Sequence, residues 1–345
     1  MKPRLHIHFS LRQQICFFFG KEYFPKENEF LLNHARSGIY LALRSSGIPL
    51  GSKVGVMAYN CHTVFNTIVQ AGFQPVFIDV TDGLLLDQED LHAKSEGIAA
   101  LVVTHLFGLL NDIASIKARY PEVVIIEDCA HAYGVSRQEG DYSVFSVGQG
   151  KLPSLGDGGI LRVNNPEYLS EVSQLYGGLR EYSFLQEMKL FRKLWIKSLL
   201  YSKAVYGWFT FPMKKRRSIS FGKEILVPVK MSRGIRAIYA KEKDNVFQLV
   251  ERRRNMSRAI VSTYPGVASR YIVSQNAFML VLFCDDTKVT KGFFINKGIE
   301  AETHFAHSLE WAREFGYVTG SCPNAERIIG HLLMVPTYFR RWTME

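Results

Sequence analysis

Residues 54–80 read VGVMAYNCHTVFNTIVQAGFQPVFIDV, two short apolar runs separated by a segment with helical spacing. The runs at 54–59 and 75–80 are rich in β-branched residues, which predicts two buried strands. Between them, residues 63–71 carry apolar side chains at the period of a helix. Strand, helix and strand in this order predict a right-handed crossover between two parallel strands.

The same alternation continues through the first half of the chain. Further apolar runs at 99–107, 123–128 and 143–147 predict strands, and segments 38–45, 89–95 and 112–119 have helical spacing. This order predicts an α/β fold, with a mostly parallel sheet covered by helices on both faces. Ligands of such sheets lie beyond the carboxyl ends of the strands, so the residues that follow each strand are the candidates for a site.

The pattern changes after residue 163. Segment 182–211 is aromatic and basic, residues 241–264 indicate one long charged helix, and 270–273, 278–284 and 299–305 predict strands of a smaller α+β unit. We therefore predict a large domain at 1–180, whose N-terminal residues pack on the small domain. A basic aromatic insertion or linker follows at 181–229, and a small C-terminal domain at 230–345.

Composition excludes several classes of protein. With 345 residues and 47% hydrophobic content, the chain can form one large or two moderate domains with a real core. The five cysteines are widely spaced and form no CxxC pair, which argues against a disulfide framework, a structural zinc site or any other metal site. The apolar piece at 15–19 is too short for a signal peptide, and no run is long enough to span a bilayer. We expect a cytoplasmic protein, either soluble or peripheral to a membrane.

The net charge of +10 is concentrated in one segment. Between residues 189 and 217 there is no acid and there are nine basic residues: Lys189, Arg192, Lys193, Lys197, Lys203, Lys214, Lys215, Arg216 and Arg217. With its aromatic residues, segment 182–217 has the composition of an interfacial helix on anionic lipid, but we favour a solvated helix that covers an active site or a dimer seam. We expect no nucleic-acid binding, because the sequence contains no recognised nucleic-acid-binding module.

Lys151 lies in the glycine-rich loop of YSVFSVGQGKLPSLGDGGIL, residues 142–161. The loop is not a P-loop, since Phe145 stands where the first glycine belongs, and not a dinucleotide fingerprint, since Pro153 stands at the third. One alternative is that Lys151 is an ordinary solvated lysine on this loop. Placed beside apolar strands, however, its amine would be desolvated and become a nucleophile suited to a Schiff base with pyridoxal phosphate (PLP).

PLP needs partners that the strand ends can supply. Asp128, at the end of VVIIED, could face the pyridine nitrogen, and Arg36 and Ser37 with Ser146 could hold the phosphate near a helix N-terminus. His131 could stack on the ring or bond its phenolic oxygen. The alternatives are an N-cap role for Asp128 and Ser37 and a structural role for His131.

These residues resemble the DegT/DnrJ/StrS family of aminotransferases, which are PLP-dependent sugar aminotransferases of fold type I. The matching stretches are ARSGIYLALRSSGI, VMAYNCHTVFNTIVQAGFQPVFIDV, VVTHLFG, IIEDCAHAYG and FSVGQGKLPSLGDGGIL, in the order and spacing of the family over residues 34–165. The resemblance implies the fold type I architecture, a large PLP-binding domain with a smaller α+β C-terminal domain.

The resemblance also implies roles for single residues. It makes Lys151 the Schiff-base lysine, Asp128 the pyridinium partner, and His131 the Gln or His of the same motif. At the phosphate it implies Ser146 of the FS motif, Ser37 of the GTSA-like turn, and Arg36 at that turn's threonine.

Other positions depart from the family pattern. Cys61 stands where the family usually stacks an aromatic ring on the cofactor, so Asn60 or His62 would have to compensate, and Gly148 replaces a common histidine. His304, in GIEAETHF, matches a small-domain strand that borders the substrate site, and His62 and His304 are the candidate substrate-binding residues. The insertion at 182–221 is unusual for the family.

The implied activity is transfer of an amino group from glutamate to a keto-sugar, which we expect to be nucleotide-linked, by a homodimer. The implied setting is amino-sugar or polysaccharide biosynthesis, such as O-antigen, lipopolysaccharide or capsule. The alternative is a non-catalytic regulator or membrane-peripheral scaffold that retains the PLP fold.

Overall fold

The first half of the chain builds a mostly parallel sheet in the computed structural model, which describes residues 1–7, 9–216 and 225–339. Its strands within those residues are β1 (Glu29–Leu32), β2 (Lys53–Met57), β3 (Gln74–Ile78), β4 (Ile98–Thr104), β5 (Val124–Asp128), β6 (Tyr142–Ser146) and β7 (Gly159–Val163). They lie in the order β1-β7-β6-β5-β4-β2-β3. The strands from β2 to β6 pair in parallel, whereas β7 runs antiparallel to both β6 and β1.

Helices connect these strands and cover the sheet. The helices of the described residues are α1 (Leu11–Phe19), α2 (Ala35–Ser45), α3 (His62–Gln70), α4 (Gln88–Lys94), α5 (Ile113–Arg119), α6 (Leu169–Gly177), α7 (Phe184–Leu200), α8 (Lys203–Val205), α9 (Phe211–Arg216), α10 (Arg233–Glu242), α11 (Val246–Thr263), α12 (Thr287–Asn296), α13 (Ser308–Arg313) and α14 (Pro323–Ile328). The predicted α/β class is confirmed, and the sequence-derived strands and helices of the first half agree with the structure to within about three residues at most ends.

A smaller antiparallel sheet follows in the second half. Its strands are β8 (Arg270–Val273), β9 (Leu280–Phe283) and β10 (Leu332–Val335), in the order β10-β9-β8. Two predictions are wrong here. Residues 299–305 form only isolated bridges, at Ile299 and Glu302, and β10 takes the place beside β9. The predicted helix at 241–264 is interrupted by a 3₁₀ turn at Lys243–Asn245, which separates α10 from α11.

The basic segment folds mainly as helices α7, α8 and α9. Its side chains differ in exposure, because Leu190 and Leu194 are buried in the core whereas Trp195 and Trp208 are 49% and 91% exposed. Lys214 is not a free surface charge, since its ammonium pairs with the buried carboxylate of Glu300. Arg217, which belongs to the predicted lipid-binding set, and residues 217–221 of the predicted insertion lie outside the described residues. Among the described helices, none combines the length and apolar character that crossing a bilayer requires.

The N-terminal residues contact both halves of the chain. Lys2 pairs with Ile299, and its N–H donates to the Gly298 carbonyl at 2.7 Å. Further along, the Gly150 N–H donates to the His6 carbonyl at 3.1 Å. Residues 2–6 therefore connect the second half of the chain to the loop that carries Lys151.

Candidate active site

A cavity of about 370 Å³ lies at the carboxyl ends of the central parallel strands. Each strand from this region contributes a polar residue at or just beyond its end, which is where ligands of such sheets bind. The cavity is lined by His34, Ala35, Arg36, Ile39, Asn60, Cys61, Thr63, Val64, Thr104, Asp128, Ala130, His131, Ser146, Lys151 and Phe305. Seven of the residues predicted from sequence are thus brought together.

Lys151 enters this cavity from the loop after β6. Its N–H donates to the Gly148 carbonyl at 3.2 Å, and the preceding Gly150 has a φ of 77°. A Cβ at Gly150 would lie 2.7 Å from a methyl carbon of Leu5, so this position requires glycine both for its conformation and for the close approach of the N-terminal segment. Burial lowers the pKa of Lys151, and the negative charge of Asp128 partly offsets this effect. The environment therefore favours the neutral, nucleophilic amine.

Asp128, the last residue of β5, is held by a short chain of hydrogen bonds. Its Oδ1 accepts the Ala130 N–H at 3.0 Å, and its Oδ2 accepts the Thr104 hydroxyl at 3.0 Å. The Thr104 hydroxyl in turn accepts a hydrogen bond from the Asn60 amide at 2.7 Å. Burial raises the pKa of Asp128, whereas the Ala130 N–H and the charge of Lys151 act to lower it. A cation placed against this carboxylate would favour its charged form.

Asp128 does not cap a helix, because the residues after it form turns. The N-cap alternative suggested by the sequence is therefore wrong for Asp128. What the structure has instead is a local turn, closed by the Ala130 N–H, that fixes the carboxylate at the cavity wall.

The first turns of α2 and α3 both reach the cavity. His34, Ala35 and Arg36 line it at the start of α2, and Cys61 and Thr63 line it at the start of α3. Backbone N–H groups at helix N-termini, with the positive end of the helix dipole, suit a phosphate. Ser146, at the end of β6, lines the same cavity.

Ser37 is placed differently from the prediction. Helix α2 begins at Ala35 with His34 as its N-cap residue, so the alternative of Ser37 as an N-cap is wrong. The Ser37 side chain is fully buried in the first helical turn, and its hydroxyl donates to the Asn33 side chain at 2.7 Å. It is not among the residues that line the cavity.

His131 lies at the cavity with a defined tautomer. Its Nδ1 accepts the N–H of Phe107 at 3.2 Å, which leaves Nε2 to carry the proton. The Phe278 ring stacks on it at a centroid distance of 4.3 Å. Burial lowers the pKa of His131 well below its ordinary value, and the charges of Lys151 and Arg4 lower it further. His131 is therefore a neutral donor through Nε2, a geometry that suits a bond to a phenolic oxygen.

Cys61 takes the position where an aromatic residue was expected. Burial raises the pKa of its thiol, but hydrogen bonds with His62 and Thr63 outweigh burial, so the pKa lies below the ordinary value. His62 itself is not a lining residue and packs edge-on against Trp311 at 4.7 Å. Of the proposed compensating residues, Asn60 reaches the cavity and His62 does not.

His304 lies one layer behind the cavity. Its ring is 5.6 Å from the ring of His131, and burial lowers its pKa well below the ordinary value. It also contacts Arg4, from the N-terminal segment. Nothing in the sequence near Arg4 indicated this position, because Arg4 belongs to no motif and is far along the chain from Lys151. Thr104, by contrast, could be found from its place at a strand end.

The chain resembles known proteins in sequence and in structure. Residues 21–189 match the model described as the DegT/DnrJ/EryC1/StrS aminotransferase family. This match spans just under half of the chain and confirms the predicted resemblance to the family. Over 154 residues it is 29% identical to the GDP-perosamine synthase of Vibrio cholerae, and this match covers 42% of each protein. Over 159 residues it is 28% identical to the pleiotropic regulatory protein of Geobacillus stearothermophilus, again with 42% of each covered.

The matched region thus covers about two fifths of the length of these curated relatives. Spr1654 from Streptococcus pneumoniae, solved in its PLP form, resembles it over 98% of this chain and 94% of that one, with a TM-score of 0.72 and 15% identity. This similarity shows that the two proteins share one fold over nearly the whole chain. The predicted family and the predicted fold type I architecture are both confirmed.

Proposed function

We propose that the protein is a PLP-dependent aminotransferase that transfers an amino group from glutamate to a nucleotide-linked keto-sugar. The observation that carries this proposal is the placement of the Lys151 amine and the Asp128 carboxylate in one cavity of the right size for a small heterocycle. The family match supports the reaction class. The cavity residues also fit the cofactor chemically, because an amine, a carboxylate and two helix N-termini meet there.

Several of the lining residues would hold PLP. Lys151 would bind its aldehyde carbon, Asp128 its pyridine nitrogen, and His131 its phenolic oxygen through Nε2–H. Arg36 and Ser146, with the N-termini of α2 and α3, would bind the phosphate. When bound, PLP supplies an electron sink that stabilises negative charge at the carbon bearing the transferred amino group.

The protein's own groups then move and hold protons. When its Nζ is not bonded to the cofactor, Lys151, with its lowered pKa, would accept the proton from the α-carbon of the amino donor as a general base. Asp128, oriented by Thr104 and Ala130, keeps the proton on the ring nitrogen in place. Proton transfer by a positioned base contributes roughly 10²–10⁴-fold to the rate, so loss of Lys151 is expected to abolish turnover.

Cofactor uptake is the first test. Wild-type protein mixed with PLP is expected to gain an absorption band in the violet, at the short-wavelength end of the visible range. Borohydride is expected to fix the cofactor covalently on Lys151. Lys151→Ala should show neither, whereas Lys53→Ala, which changes an exposed lysine at the start of β2, should behave as wild type. Failure of the wild type to take up PLP contradicts the proposal.

The substrate is tested with the loaded enzyme. Glutamate alone should convert the PLP spectrum and yield 2-oxoglutarate, and a panel of nucleotide-linked keto-sugars should identify the acceptor. The further setting that we propose is amino-sugar or polysaccharide biosynthesis in the cytoplasm, with the enzyme as a homodimer. Analytical ultracentrifugation tests the dimer, and a monomer with full activity contradicts it.

The second candidate function is a regulator or scaffold that retains the fold without catalysis. Two observations favour it, the cysteine at position 61 and the similarity to a pleiotropic regulatory protein. This candidate predicts no turnover with glutamate even when PLP is bound. The glutamate-dependent spectral change therefore separates the two candidates.

Peripheral contact with an anionic membrane through 182–217 is a further proposal. Exposed Trp195 and Trp208, on a segment rich in lysine and arginine, support it. Co-sedimentation with anionic liposomes is expected to weaken in a Lys189→Gln/Arg192→Gln/Lys193→Gln variant, and equal binding by wild type and variant contradicts the contact.

A further inference from the structure

A second cavity, of about 930 Å³, lies beside the loop that carries Lys151. Its wall is built by the N-terminal residues, by helices α7 and α11, and by residues 338–339. It has no lining residue in common with the candidate active site, although Lys151 lines that site and residues 152–155 line this one. Small-molecule sites of proteins have volumes of roughly 300–1,000 Å³, so this cavity has the size of a separate ligand site.

Most of the wall is apolar, and it reaches the protein surface at α7. Two lining residues of that helix, Trp195 and Leu199, are 49% and 53% exposed. Deeper in the wall, Phe9, Leu155 and Phe339 are buried. A wall of this composition favours the hydrocarbon part of a ligand, because such a ligand removes apolar surface from water.

The charged groups of the wall are mainly cations. Lys203, Arg252 and Arg253 line the cavity, and Glu242 is the one carboxylate among the described residues that line it. Lys203 and Arg252 are exposed, whereas Arg253 is only 6% exposed. The cavity therefore has two cations in contact with solvent and one buried cation.

Arg253 is a buried charge without a counter-charge. Its Nη1 donates to the Phe278 carbonyl at 3.0 Å, and its guanidinium forms no other hydrogen bond and no ion pair within residues 1–7, 9–216 and 225–339. Burial lowers the pKa of Arg253 to about 10, so the group is still charged at neutral pH. A buried charge is costly unless it is paired and hydrogen-bonded, and an anion in the cavity would supply both.

We propose that this second cavity binds an amphipathic anion, with its anionic head on Arg253 and its hydrocarbon chain along the apolar wall. The planar fork of an arginine pairs with two oxygens of a carboxylate or a phosphate. A small inorganic anion would leave the apolar wall uncovered, and a neutral apolar molecule would leave Arg253 unpaired. The proposal does not rest on the aminotransferase function, because the two cavities share no lining residue.

Calorimetry with four probes separates the head from the chain. Octanoate and octyl phosphate have both parts, octanol has only the chain, and acetate has only a head. The protein is first incubated with PLP, so that the probes do not compete for the candidate active site. We expect octanoate or octyl phosphate to bind at one site at least about tenfold more tightly than octanol or acetate. No binding of either amphipathic anion, or equal affinity for octanol, overturns the inference.

Variants test the buried cation. Arg253→Met removes the charge and keeps an apolar side chain, and Arg258→Met is the matched control, at an exposed arginine of the same helix that does not line the cavity. We expect Arg253→Met to weaken binding of the preferred anion at least about tenfold and Arg258→Met to bind it as wild type does.

A second variant covers the case that Arg253→Met does not fold. Lys203→Gln/Arg252→Gln changes two exposed lining residues and is expected to weaken binding about three- to tenfold at low salt. Wild-type affinity in Arg253→Met, or in the double variant if Arg253→Met does not fold, overturns the inference.

Tryptophan fluorescence locates the chain and identifies its source. The same chemistry is present in a free fatty-acid anion and in a bilayer lipid, so the probes are ω-bromoundecanoate and vesicles of phosphatidylglycerol with brominated chains. Bromine quenches a tryptophan that it touches, and the quenching that Trp195→Phe removes reports on the cavity wall. Such quenching, when it also depends on Arg253, identifies the source by the probe that causes it. Its lack with both probes overturns the inference.

Discussion

The hydroxyl of Thr104 is expected to stabilise the protein through Asp128. Thr104 is 2% exposed, and its hydroxyl both accepts from the Asn60 amide at 2.7 Å and donates to Asp128 Oδ2 at 3.0 Å. Thr104→Val keeps the shape of the side chain and removes both bonds. It leaves a buried amide donor unpaired, at about 1–3 kcal/mol, and removes a bond to a carboxylate, worth about 1.5–3 kcal/mol in its charged form.

Some of this loss is recovered, because Asp128 can take up a proton when its hydrogen bond is lost. We therefore expect Thr104→Val to lower the free energy of unfolding by about 2–4 kcal/mol. Thr104→Ser is the matched control, since it keeps the hydroxyl and loses one methyl group, worth about 1 kcal/mol.

Urea unfolding of the PLP-free proteins, followed by tryptophan fluorescence, measures the difference as a shift of the midpoint at constant m-value. The reasoning is refuted if Thr104→Val is as stable as Thr104→Ser. A lower m-value in the variant would mean that the change acts on the compactness of one of the two states, and the midpoint would then no longer report the hydrogen bonds.

Three further predictions concern buried groups of the site and the sheet. Burial raises the folded-state pKa of Asp128 above its ordinary value of 3.8, so the folded protein holds this proton more tightly than the unfolded chain, and its contribution to stability is lost as the pH rises through that pKa. Asp128→Asn should therefore gain stability relative to wild type in urea titrations as the pH rises above about 4, and parallel curves would contradict this. Cys61, with its lowered pKa, should react with iodoacetamide faster than Cys322, whose thiol pKa is raised to about 12, and PLP should protect it; equal labelling by peptide mass spectrometry would argue against this. Glu127 is 1% exposed and bonds to the His105 ring at 3.0 Å, so Glu127→Gln should lower the free energy of unfolding by about 3 kcal/mol, and a urea midpoint within error of wild type would count against that estimate of the pair.

Much of the large sheet could be predicted from sequence because its strands are buried on both faces. Such strands appear as continuous apolar runs, and the runs around 54–59 and 123–128 became β2 and β5 with small shifts at their ends. The edge strand β1 was missed, since four apolar or mixed residues at 29–32 have no periodic signal of their own and become a strand only by pairing with β7.

The smaller sheet was less predictable for a related reason. Residues 299–305 have the composition of a strand, but Leu332–Val335 occupies the position beside β9, and the choice between two apolar segments is made by packing. The break between α10 and α11 could not be predicted either, because no proline or glycine lies in this stretch of the sequence.

For the site, the sequence by itself determined the residues at the ends of the parallel strands. Asp128 and Ser146 end their strands and Lys151 follows in the next loop, and the parallel topology brings all three to one edge of the sheet. Only the tertiary structure decided the rest. The Ser37 hydroxyl bonds to Asn33 and does not line the cavity, and Arg4 contacts His304, which lies 300 residues further along the chain. Local sequence patterns encode neither the direction of a side chain nor a contact between distant segments.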